Sequence, residues 1–445
     1  MANFVPTSEV LLVGCSSSDP FSTLIIDPRT GVSSWSYKGT ELQGGCIDKV
    51  APVGINGEHI AISMKKHPFV HFIGVNTQKK FHERATVGGV VIDFTTTSDG
   101  CLMFIAVDRR ILIFLLTSGE LICAREVHLQ ELTNLQLSED NSTLVSSSQD
   151  GCVKVHLVSE LISETGASYG ALREWRAHSL SVTGLSLTSS SSLRVASCSL
   201  DHTATIHSVA LDLCLLRVSA DRALTSCLLC PSESRFFLSS DRGVIACLSL
   251  YSIGQKDTRE VLLSTTNPSP SDFILQGHHT TAVKQLALNS DGCILASGDL
   301  SGKYVVWQVA SKQTLKVSSL HGPISSLSFV PPWKSLSGET DEKAARPCFD
   351  KLARSTSERT SISLLRRTPL NTHDDWLSVV EDALKSGVSK ESHPIADKTK
   401  EKAPVREDSA TNNKEIASLR KEVVKLKQIN RQMFDYASKE LAGPR

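Results

Sequence analysis

The chain has 445 residues, with 47 Lys and Arg against 47 Asp and Glu, and 40% of its residues are apolar. Zero formal net charge argues against a whole-protein electrostatic grip on nucleic acid or an anionic membrane. No apolar run approaches the roughly 20 residues of a membrane span, and no basic region precedes an apolar stretch at the N-terminus, so we expect neither a membrane segment nor a secretory signal. We interpret the twelve cysteines as reduced core residues.

Charge density changes near residue 340. Residues 341–445 carry 21 Lys and Arg and 17 Asp and Glu, whereas the first 340 residues carry 26 and 30. Sparse charge is typical of buried strands, and dense charge is typical of a solvated tail. We therefore predict a folded domain over 1–336, a flexible charged linker over 337–413 and a helix over 414–441.

The folded domain repeats one pattern and lacks helical periodicity. Each copy has an apolar strand, a polar turn, a strand of small residues, an Asp-bearing turn and a further strand. The copies recur roughly every 40–50 residues, which is typical of the four-stranded WD40 blade, a unit that needs neighbours to bury its faces. The predicted strands, in chain order, are 10–14, 23–26, 32–37, 47–53, 59–63, 69–74, 90–94, 102–107, 111–115, 132–137, 144–148, 153–157, 182–187, 194–199, 204–209, 224–229, 236–240, 244–248, 283–288, 294–298, 303–309 and 324–329.

The ends of the domain predict how the ring closes. The first copy begins with its second strand at Val10, and its missing first strand is available at 323–330, after the last copy. That strand would complete the first blade and leave no open edge inside the ring. We predict an all-β fold, a seven-bladed WD40 β-propeller, followed by a charged linker and a C-terminal α-helical coiled coil.

Polar residues recur at fixed places in the copies. Histidines precede first strands, and aspartates lie in the turns before third strands. In WD40 proteins such residues hydrogen-bond with a strand Ser or Thr and a Trp, and so satisfy buried polar groups. Because the pairing recurs in successive blades, we interpret it as structural and not catalytic. Ser301 stands where the last blade would carry its Asp. The structural candidates are His128, His178, His278, Asp108, Asp150, Asp201, Asp241 and Trp307.

Two motifs resemble reactive sites but lack the required context. Gly166-Ala167-Ser168-Tyr169-Gly170 matches a nucleophile elbow, which requires a strand-to-helix turn in a doubly wound sheet. Here it falls between two strands of a blade, so we interpret it as a loop, with hydrolysis at Ser168 as the alternative. Cys227 and Cys230 form a lone pair, whereas a structural zinc needs four ligands. We predict no catalytic, cofactor or metal site, and hence a binding scaffold.

A short amphipathic helix is predicted near 374–385. Acidic residues begin the segment, Gly387 follows it, and one helical face carries Trp376, Val380, Ala383 and Leu384. The apolar face could dock in a partner groove, with Trp376 as the partner-facing residue. The alternative is a helix that packs on its own ring.

Residues 414–441 carry a heptad pattern. Asn430 falls at an a position of this pattern. A buried Asn at such a position fixes the register of a coiled coil and favours a two-stranded one. In a parallel pair, Glu415 would face Arg420, and Glu422 would face Lys427. We predict a parallel homodimeric coiled coil; a single amphipathic helix lying on another subunit is the alternative. The seam consists of Ile416, Leu419, Val423, Leu426, Asn430, Met433 and Ala437, and the partner-facing candidates outside it are Ile429, Phe434 and Tyr436.

Several of these stretches together resemble a known family. The terminal segment from Leu426 to Tyr436, Ser147-Ser148-Gln149-Asp150-Gly151, Ser199-Leu200-Asp201-His202-Thr203 and His321-Gly322-Pro323-Ile324 are similar to the family of WD repeat-containing protein eighteen and fungal Ipi-three. The resemblance covers nearly the whole chain, and its terminal segment is more specific than the blade motifs.

The resemblance implies a function that composition could not indicate. Family members are the WD40 subunit of a Rix-type complex, with a PELP/Rix-type helical-repeat scaffold and a testis-expressed-ten/Ipi-one-like subunit. The complex acts on the pre-ribosomal particle in the nucleus, nucleolus and nucleoplasm. It serves large-subunit biogenesis and internal-transcribed-spacer rRNA processing, and it recruits a midasin-type AAA ATPase. A role in DNA replication initiation is also implied.

Other classes of WD40 protein are the alternatives. A substrate receptor of a ubiquitin ligase usually carries a Trp-Asp-x-Arg box, which Trp307-Gln308-Val309-Ala310 does not match. A phosphoinositide-binding propeller would carry a Gly after its paired arginines, where Asp108-Arg109-Arg110-Ile111 has none. A generic signalling scaffold stays open. The sequence also leaves open whether RNA is contacted directly and which face binds the scaffold.

Overall fold

The computed structural model describes residues 9–16, 23–37, 47–54, 59–75, 82–163, 170–188, 192–251, 260–264 and 273–332. Within these ranges the chain forms 29 strands and one helix. Every predicted strand is present, with ends that differ by no more than two residues. The predicted helices at 374–385 and 414–441, the linker, and Ser168 lie outside the described residues.

The strands are grouped in seven sheets. In chain order they are β1 (Val10–Cys15), β2 (Thr23–Ile26), β3 (Ser33–Tyr37), β4 (Ile47–Val53), β5 (His59–Met64), β6 (Phe69–Gly74), β7 (His82–Thr86), β8 (Val91–Thr96), β9 (Leu102–Val107), β10 (Arg110–Leu115), β11 (Glu120–Glu126), β12 (Leu132–Leu137), β13 (Thr143–Ser148), β14 (Cys152–Leu157), β15 (Arg173–Arg176), β16 (Val182–Leu187), β17 (Arg194–Ser199), β18 (Thr203–Ser208), β19 (Leu213–Ala220), β20 (Leu224–Leu229), β21 (Arg235–Ser240), β22 (Ile245–Ser249), β23 (Glu260–Leu263), β24 (Phe273–Leu275), β25 (Val283–Leu288), β26 (Ile294–Asp299), β27 (Lys303–Gln308), β28 (Gln313–Ser319) and β29 (Ile324–Val330); the helix is α1 (Val158–Ile162).

The seven sheets are the blades of a WD40 propeller. From the central channel outward, blade 1 is β29-β1-β2-β3, blade 2 is β4 to β7, blade 3 is β8 to β11, blade 4 is β12 to β15, blade 5 is β16 to β19 with β23, blade 6 is β20-β21-β22-β24 and blade 7 is β25 to β28. We call upper the face that holds the connections between blades and the turns between second and third strands, and lower the opposite face.

Both faces of each blade are buried against the neighbouring blades. Successive residues of a strand point to opposite faces, so the central strands are apolar along almost their whole length. Strand β9, for example, is buried at five of its six residues. Phe72 of blade 2 and Phe94 of blade 3 lie in one fully buried cluster. Burying each such ring stabilises the fold by roughly 2–3 kcal/mol, so the blades depend on one another.

The ring closes as predicted. Strand β29 pairs antiparallel with β1, in a register that runs from Val10 opposite Val330 to Cys15 opposite Ile324. A second link joins blades 7 and 1, since the backbone N–H of Ser290 donates to the carboxylate of Glu9 at 3.0 Å. The C-terminal strand of the domain therefore completes the first blade.

Seven strands and one helix were not located from the sequence. Six of the strands are the outer strands of blades 2 to 7, namely β7, β11, β15, β19, β24 and β28. The seventh, β23, arises from the insertion in blade 6 and pairs in parallel with β19 of blade 5, where Glu260 is opposite Arg217. Helix α1 follows β14, and its Val158 and Leu161 are buried in the cluster between blades 3 and 4. Strand β23 and helix α1 each cross from one blade to its neighbour. In the described part of the chain, no helix is long and apolar enough to cross a membrane.

Candidate partner-binding surfaces of the ring

Blade 7 contains a complete buried polar network. Nε2 of His279 lies 2.7 Å from Oγ of Ser297, and Nδ1 of His279 lies 3.0 Å from Oδ2 of Asp299. The indole N–H of Trp307 donates to the same Ser297 hydroxyl at 2.9 Å. The network histidine is thus His279, next to the predicted His278, whose ring packs edge-on against Trp307 at 5.1 Å.

The carboxylate of this network comes from an unexpected position. Asp299 ends β26, two residues before the turn position that Ser301 occupies. Oδ1 of Asp299 accepts hydrogen bonds from the backbone N–H and hydroxyl of Ser301 and from the backbone N–H of Lys303. The carboxylate therefore closes the turn with one oxygen and holds the histidine with the other.

Blade 5 forms a similar network around His178. Its Nε2 lies 2.9 Å from Oγ of Ser197 and its Nδ1 lies 2.8 Å from Oγ1 of Thr203. The hydroxyl of Thr203 is 2.6 Å from Oδ1 of Asp201, which itself is 3.5 Å from the histidine. Burial lowers the pKa of His178, although the charge of Asp201 opposes this shift. The ring is therefore neutral at pH 7 and serves to join strands.

Blade 4 replaces the carboxylate by a second histidine. The hydroxyl of Ser146 lies 2.9 Å from Nε2 of both His128 and His156. Burial lowers the pKa of His128 to about 4 and that of His156 to about 3. Asp150 caps its own turn by accepting the backbone N–H of Cys152 at 2.9 Å, so in this blade it acts on His128 through its charge.

The remaining predicted aspartates lie on the surface. Asp108 is exposed, has a φ of +52° in its turn, and lies 3.6 Å from Nε of Arg109. Asp241 is also exposed, and its backbone N–H donates to the carbonyl of Ala223 at 3.2 Å. Both residues shape turns on the upper face, and the structure does not bring either into a described histidine network.

The first strands of all seven blades line a channel of about 580 Å³. Near its upper end, Nζ of Lys49 lies 2.6 Å from Oδ1 of the nearly buried Asp93, whose other oxygen accepts the backbone N–H of Leu135 at 2.7 Å. Nζ of Lys284 lies 3.6 Å from Oδ1 of Asp48. These contacts join blades 2, 3, 4 and 7, so the charged groups of the channel hold the ring together.

The described cysteines and other possible metal ligands do not form a metal-binding cluster. Cys227 and Cys230 are both buried and reduced. A hydrogen bond with Cys198 and burial raise the pKa of the Cys227 thiol well above its usual range. Among the described residues, no three His, Cys, Asp or Glu side chains gather so that they could hold a metal ion.

Comparisons with known proteins agree with this architecture. The WD domain, G-beta repeat family matches residues 119–156, 170–208 and 270–308, which include the three histidine networks. The chain is 38% identical over 378 residues to "Pre-rRNA-processing protein pro-1" of Caenorhabditis briggsae, across 84% of this chain and 71% of that protein. It is 22% identical over 446 residues to "WD repeat-containing protein 18" of Homo sapiens, across 98% of each. It is also 28% identical over 208 residues to "Pre-rRNA-processing protein IPI3" of Yarrowia lipolytica, across 46% of this chain and 48% of that protein.

The chain belongs to the WD repeat-containing protein 18/Ipi3 family. In this WD repeat-containing protein 18/Ipi3 family member, the residues predicted to mediate pairing and partner contact by the tail lie outside the described residues, so they stay predictions. They are Trp376, Glu415, Ile416, Leu419, Arg420, Glu422, Val423, Leu426, Lys427, Ile429, Asn430, Met433, Phe434, Tyr436 and Ala437.

The upper face of this family member carries exposed aliphatic side chains. Leu129 and Leu180 lie in the connections that lead into blades 4 and 5, and Leu200 lies in the β17–β18 turn; their exposed fractions are 84%, 52% and 43%. These leucines were not among the predicted contact residues. The available signal was a large aliphatic residue within two positions of a network residue, in a segment where polar residues are usual.

Hydrogen bonds join the segments that bear these leucines. The backbone N–H of Gln149 donates to the carbonyl of Glu131, and that of His178 donates to the carbonyl of Gly151. The backbone N–H of Ser179 then donates to the carboxylate of Asp201 at 2.9 Å. The leucines therefore stand on one hydrogen-bonded platform, which we call the leucine platform (Leu129, Leu180 and Leu200).

Proposed function

We propose that this family member is a non-catalytic scaffold subunit of a nuclear complex that acts in pre-rRNA processing and large ribosomal subunit biogenesis. The observation that carries the proposal is the 38% identity, over 84% of the chain, to a protein named for pre-rRNA processing. The Yarrowia lipolytica relative, at lower identity, carries a name of the same meaning.

The chemistry of the described polar residues supports a non-catalytic role. The His–Asp pairs of blades 5 and 7 resemble acid–base pairs, but both ring nitrogens of His178 and of His279 already have partners within the blade. Burial also lowers the pKa of each ring, and a general base operates best with a pKa near the working pH. The networks thus stabilise blades, and this structural role supports the proposal that the ring functions in binding.

The ring and the C-terminal segment would bind different partners in the complex. We assign the leucine platform to the PELP/Rix-type helical-repeat scaffold, because exposed aliphatic side chains on a rigid platform suit the apolar ridges of stacked helices. The segment 414–441 would pair with a second copy. The testis-expressed-ten/Ipi-one-like subunit belongs to the same complex, and contact with the midasin-type ATPase would be indirect. A nucleolar and nucleoplasmic location follows from this function.

Affinity purification from nuclear extract tests the proposal. The full chain should recover pre-ribosomal factors, and the Leu129→Ser/Leu180→Ser/Leu200→Ser variant should lose the helical-repeat scaffold. The matched control is Val32→Ser/Leu211→Ser/Tyr251→Ser, which replaces three exposed apolar residues of the lower face and should retain it. Depletion of the protein should lead to accumulation of spacer-containing pre-rRNA. Recovery of cullin adaptors, with normal pre-rRNA on depletion, would identify a ubiquitin-ligase receptor and overturn the proposal.

A further inference from the structure

Positive charge is concentrated in blade 2. Residues 47–86 contain six Lys and Arg against three Asp and Glu, whereas residues 88–176, which form blades 3 and 4, contain six against twelve. The overall neutrality of the chain therefore conceals a local excess. A local excess of cations is sufficient to attract a polyanion at short range, because salt screens charges that lie more than about 10 Å away.

Two of these six cations lie in the β5–β6 turn on the upper face. Lys65, Lys66 and His67 are all exposed there, and Lys66 has a φ of +63°, which turns the chain sharply. Arg84 of the outer strand β7 is exposed as well. Among the described residues, none of these three cations lies within ion-pairing distance of a carboxylate, in contrast to Lys49, Lys154 and Arg194.

Two aromatic rings, of His67 and Phe69, belong to the same region as these cations. The rings of His67 and Phe69 are nearly parallel, at 9°, with centroids 6.1 Å apart. The guanidinium of Arg84 lies 4.9 Å from the centroid of Phe69. The strand register explains this placement, because Arg84 is opposite His71 on the neighbouring strand, two residues from Phe69. The row His67–Phe69–Arg84 thus ends in an exposed ring on one side and, on the other, in a cation that has no carboxylate partner among the described residues.

We propose that this patch, made of Lys65, Lys66, His67, Phe69 and Arg84, binds single-stranded RNA. The two lysines and Arg84 would contact phosphates, and the exposed face of His67 would stack on a base. Single-strand binders combine these two features, because phosphate contacts supply affinity and aromatic rings accept any base. The choice of RNA among polyanions rests on the proposed function in pre-rRNA processing. The presence of exposed cations and aromatic rings in the patch does not depend on that function.

An acidic protein segment is the competing partner. It would use the cations but would gain little from the ring of His67. The two partners therefore differ in what a substitution of His67 does, and they also differ in salt dependence. Binding to single-stranded RNA weakens with a slope in log K against log salt of about −0.7 for each phosphate contact.

Fluorescence anisotropy with the full chain and a labelled, mixed-sequence, single-stranded RNA of about 20 nucleotides tests the proposal. Lys65→Ala/Lys66→Ala should weaken binding about tenfold and reduce the salt slope by about 1.4, which corresponds to two phosphate contacts. His67→Ala should weaken binding about fivefold or more, through lost stacking, and should leave the salt slope unchanged. The control Arg29→Ala/Lys312→Ala removes two exposed cations from turns of the lower face and should bind like the unaltered chain.

Three results would overturn the assignment. The first is absence of binding by the unaltered chain at low salt. The second is an equal loss in the control and in the lysine variant, which would indicate non-specific attraction. The third is competition by a polyglutamate peptide together with full binding by His67→Ala, which would indicate an acidic protein partner. Thermal melting of each variant establishes that the ring is intact. Each of these results leaves the affinity purification of the scaffold unaffected, so failure here is distinct from failure of the proposed function.

Discussion

Nδ1 of His279 lies 3.0 Å from Oδ2 of Asp299, and the two side chains expose only 1% and 0% of their surface. Burial alone would raise the pKa of Asp299, but hydrogen bonds from Ser301, His279 and Lys303 lower it overall. Burial also lowers the pKa of His279. The pair is therefore a carboxylate and a neutral imidazole that donates its Nδ1–H, which leaves Nε2 to accept the hydroxyl of Ser297.

This arrangement predicts that the aspartates of the different blades contribute unequally to stability. Asp299→Ala leaves a buried histidine and two backbone N–H groups without their acceptor, which should lower the free energy of unfolding by about 3 kcal/mol. Asp150→Ala removes a half-buried carboxylate that caps one backbone N–H, so it should cost about 1 kcal/mol or less. Urea unfolding of both variants measures the difference, and equal losses would contradict the assigned network.

Acid should begin to destabilise the ring at pH values well above the range in which carboxylates titrate. Burial lowers the pKa of His128 and His207 to about 4 and that of His156 to about 3, whereas an unfolded histidine titrates near 6.5. Between these values the unfolded chain binds protons that the folded chain does not. Stability is therefore lost as pH falls below about 6.5, by up to about 1.4 kcal/mol per pH unit for each histidine.

A matched variant isolates one of these histidines. The ring of His207 stacks on Trp175, with centroids 4.7 Å apart and planes at 16°. His207→Phe keeps the stacking and removes the titration, so the pH dependence of stability between about pH 6.5 and 5 should decrease by about 1 kcal/mol per unit on average. Urea midpoints across this range provide the measurement. An unchanged slope would mean that His207 titrates normally in the folded chain.

The repeat predicted the architecture because each blade uses the same local rules. Short runs of buried residues, bounded by polar turns, define the central strands, and the absent first strand at Val10 is compensated by the extra strand at Ile324. These features are periodic, so seven copies support one another. Ring closure could be predicted because an open propeller would leave an inner edge unpaired.

Features that break the periodicity could not be predicted. His278 and His279 are adjacent, and only the three-dimensional fit behind β26 decides which ring reaches Ser297. From the sequence, Asp299 looks like an ordinary residue at the end of a strand. Its role could not be predicted, because it depends on the following turn, whose backbone N–H groups donate to its carboxylate. Strand β23 spans only four residues, and its partner β19 lies in another blade. The basic patch of blade 2 also includes Arg84, which is far from Lys65 in the sequence. Arg84 reaches the patch only because strand β7 pairs with β6.

Gly151 should tolerate substitution by Ala less well than Gly54, although the two glycines have similar backbone conformations. Its φ is +79°, and an added Cβ would lie 2.2 Å from the carbonyl oxygen of His178. Gly151→Ala must therefore displace the connection into blade 5, and we expect a loss of about 3 kcal/mol or more. Gly54 has a φ of +88°, and no atom of the described residues lies within 4 Å of an added Cβ, so Gly54→Ala should cost only about 1 kcal/mol from backbone strain. Thermal unfolding of the two variants compares steric overlap with strain alone, and equal melting temperatures would contradict the contact between blades 4 and 5.

The heptad segment 414–441 should hold the full chain as a dimer. Leu419 and Leu426 occupy d positions of the predicted seam, so replacing both with Asp would place charges inside a dimer interface and should convert the full chain from dimer to monomer. The control is Ser418→Asp/Lys425→Asp, which introduces two Asp at c positions outside the seam and should leave the dimer intact. Sedimentation equilibrium of the full chain distinguishes the two states. If the unaltered chain is monomeric at micromolar concentration, the segment does not pair with itself, and its apolar face must instead cover another subunit. If both variants dissociate equally, the dimer is held by charge and not by the seam, and the heptad assignment is wrong.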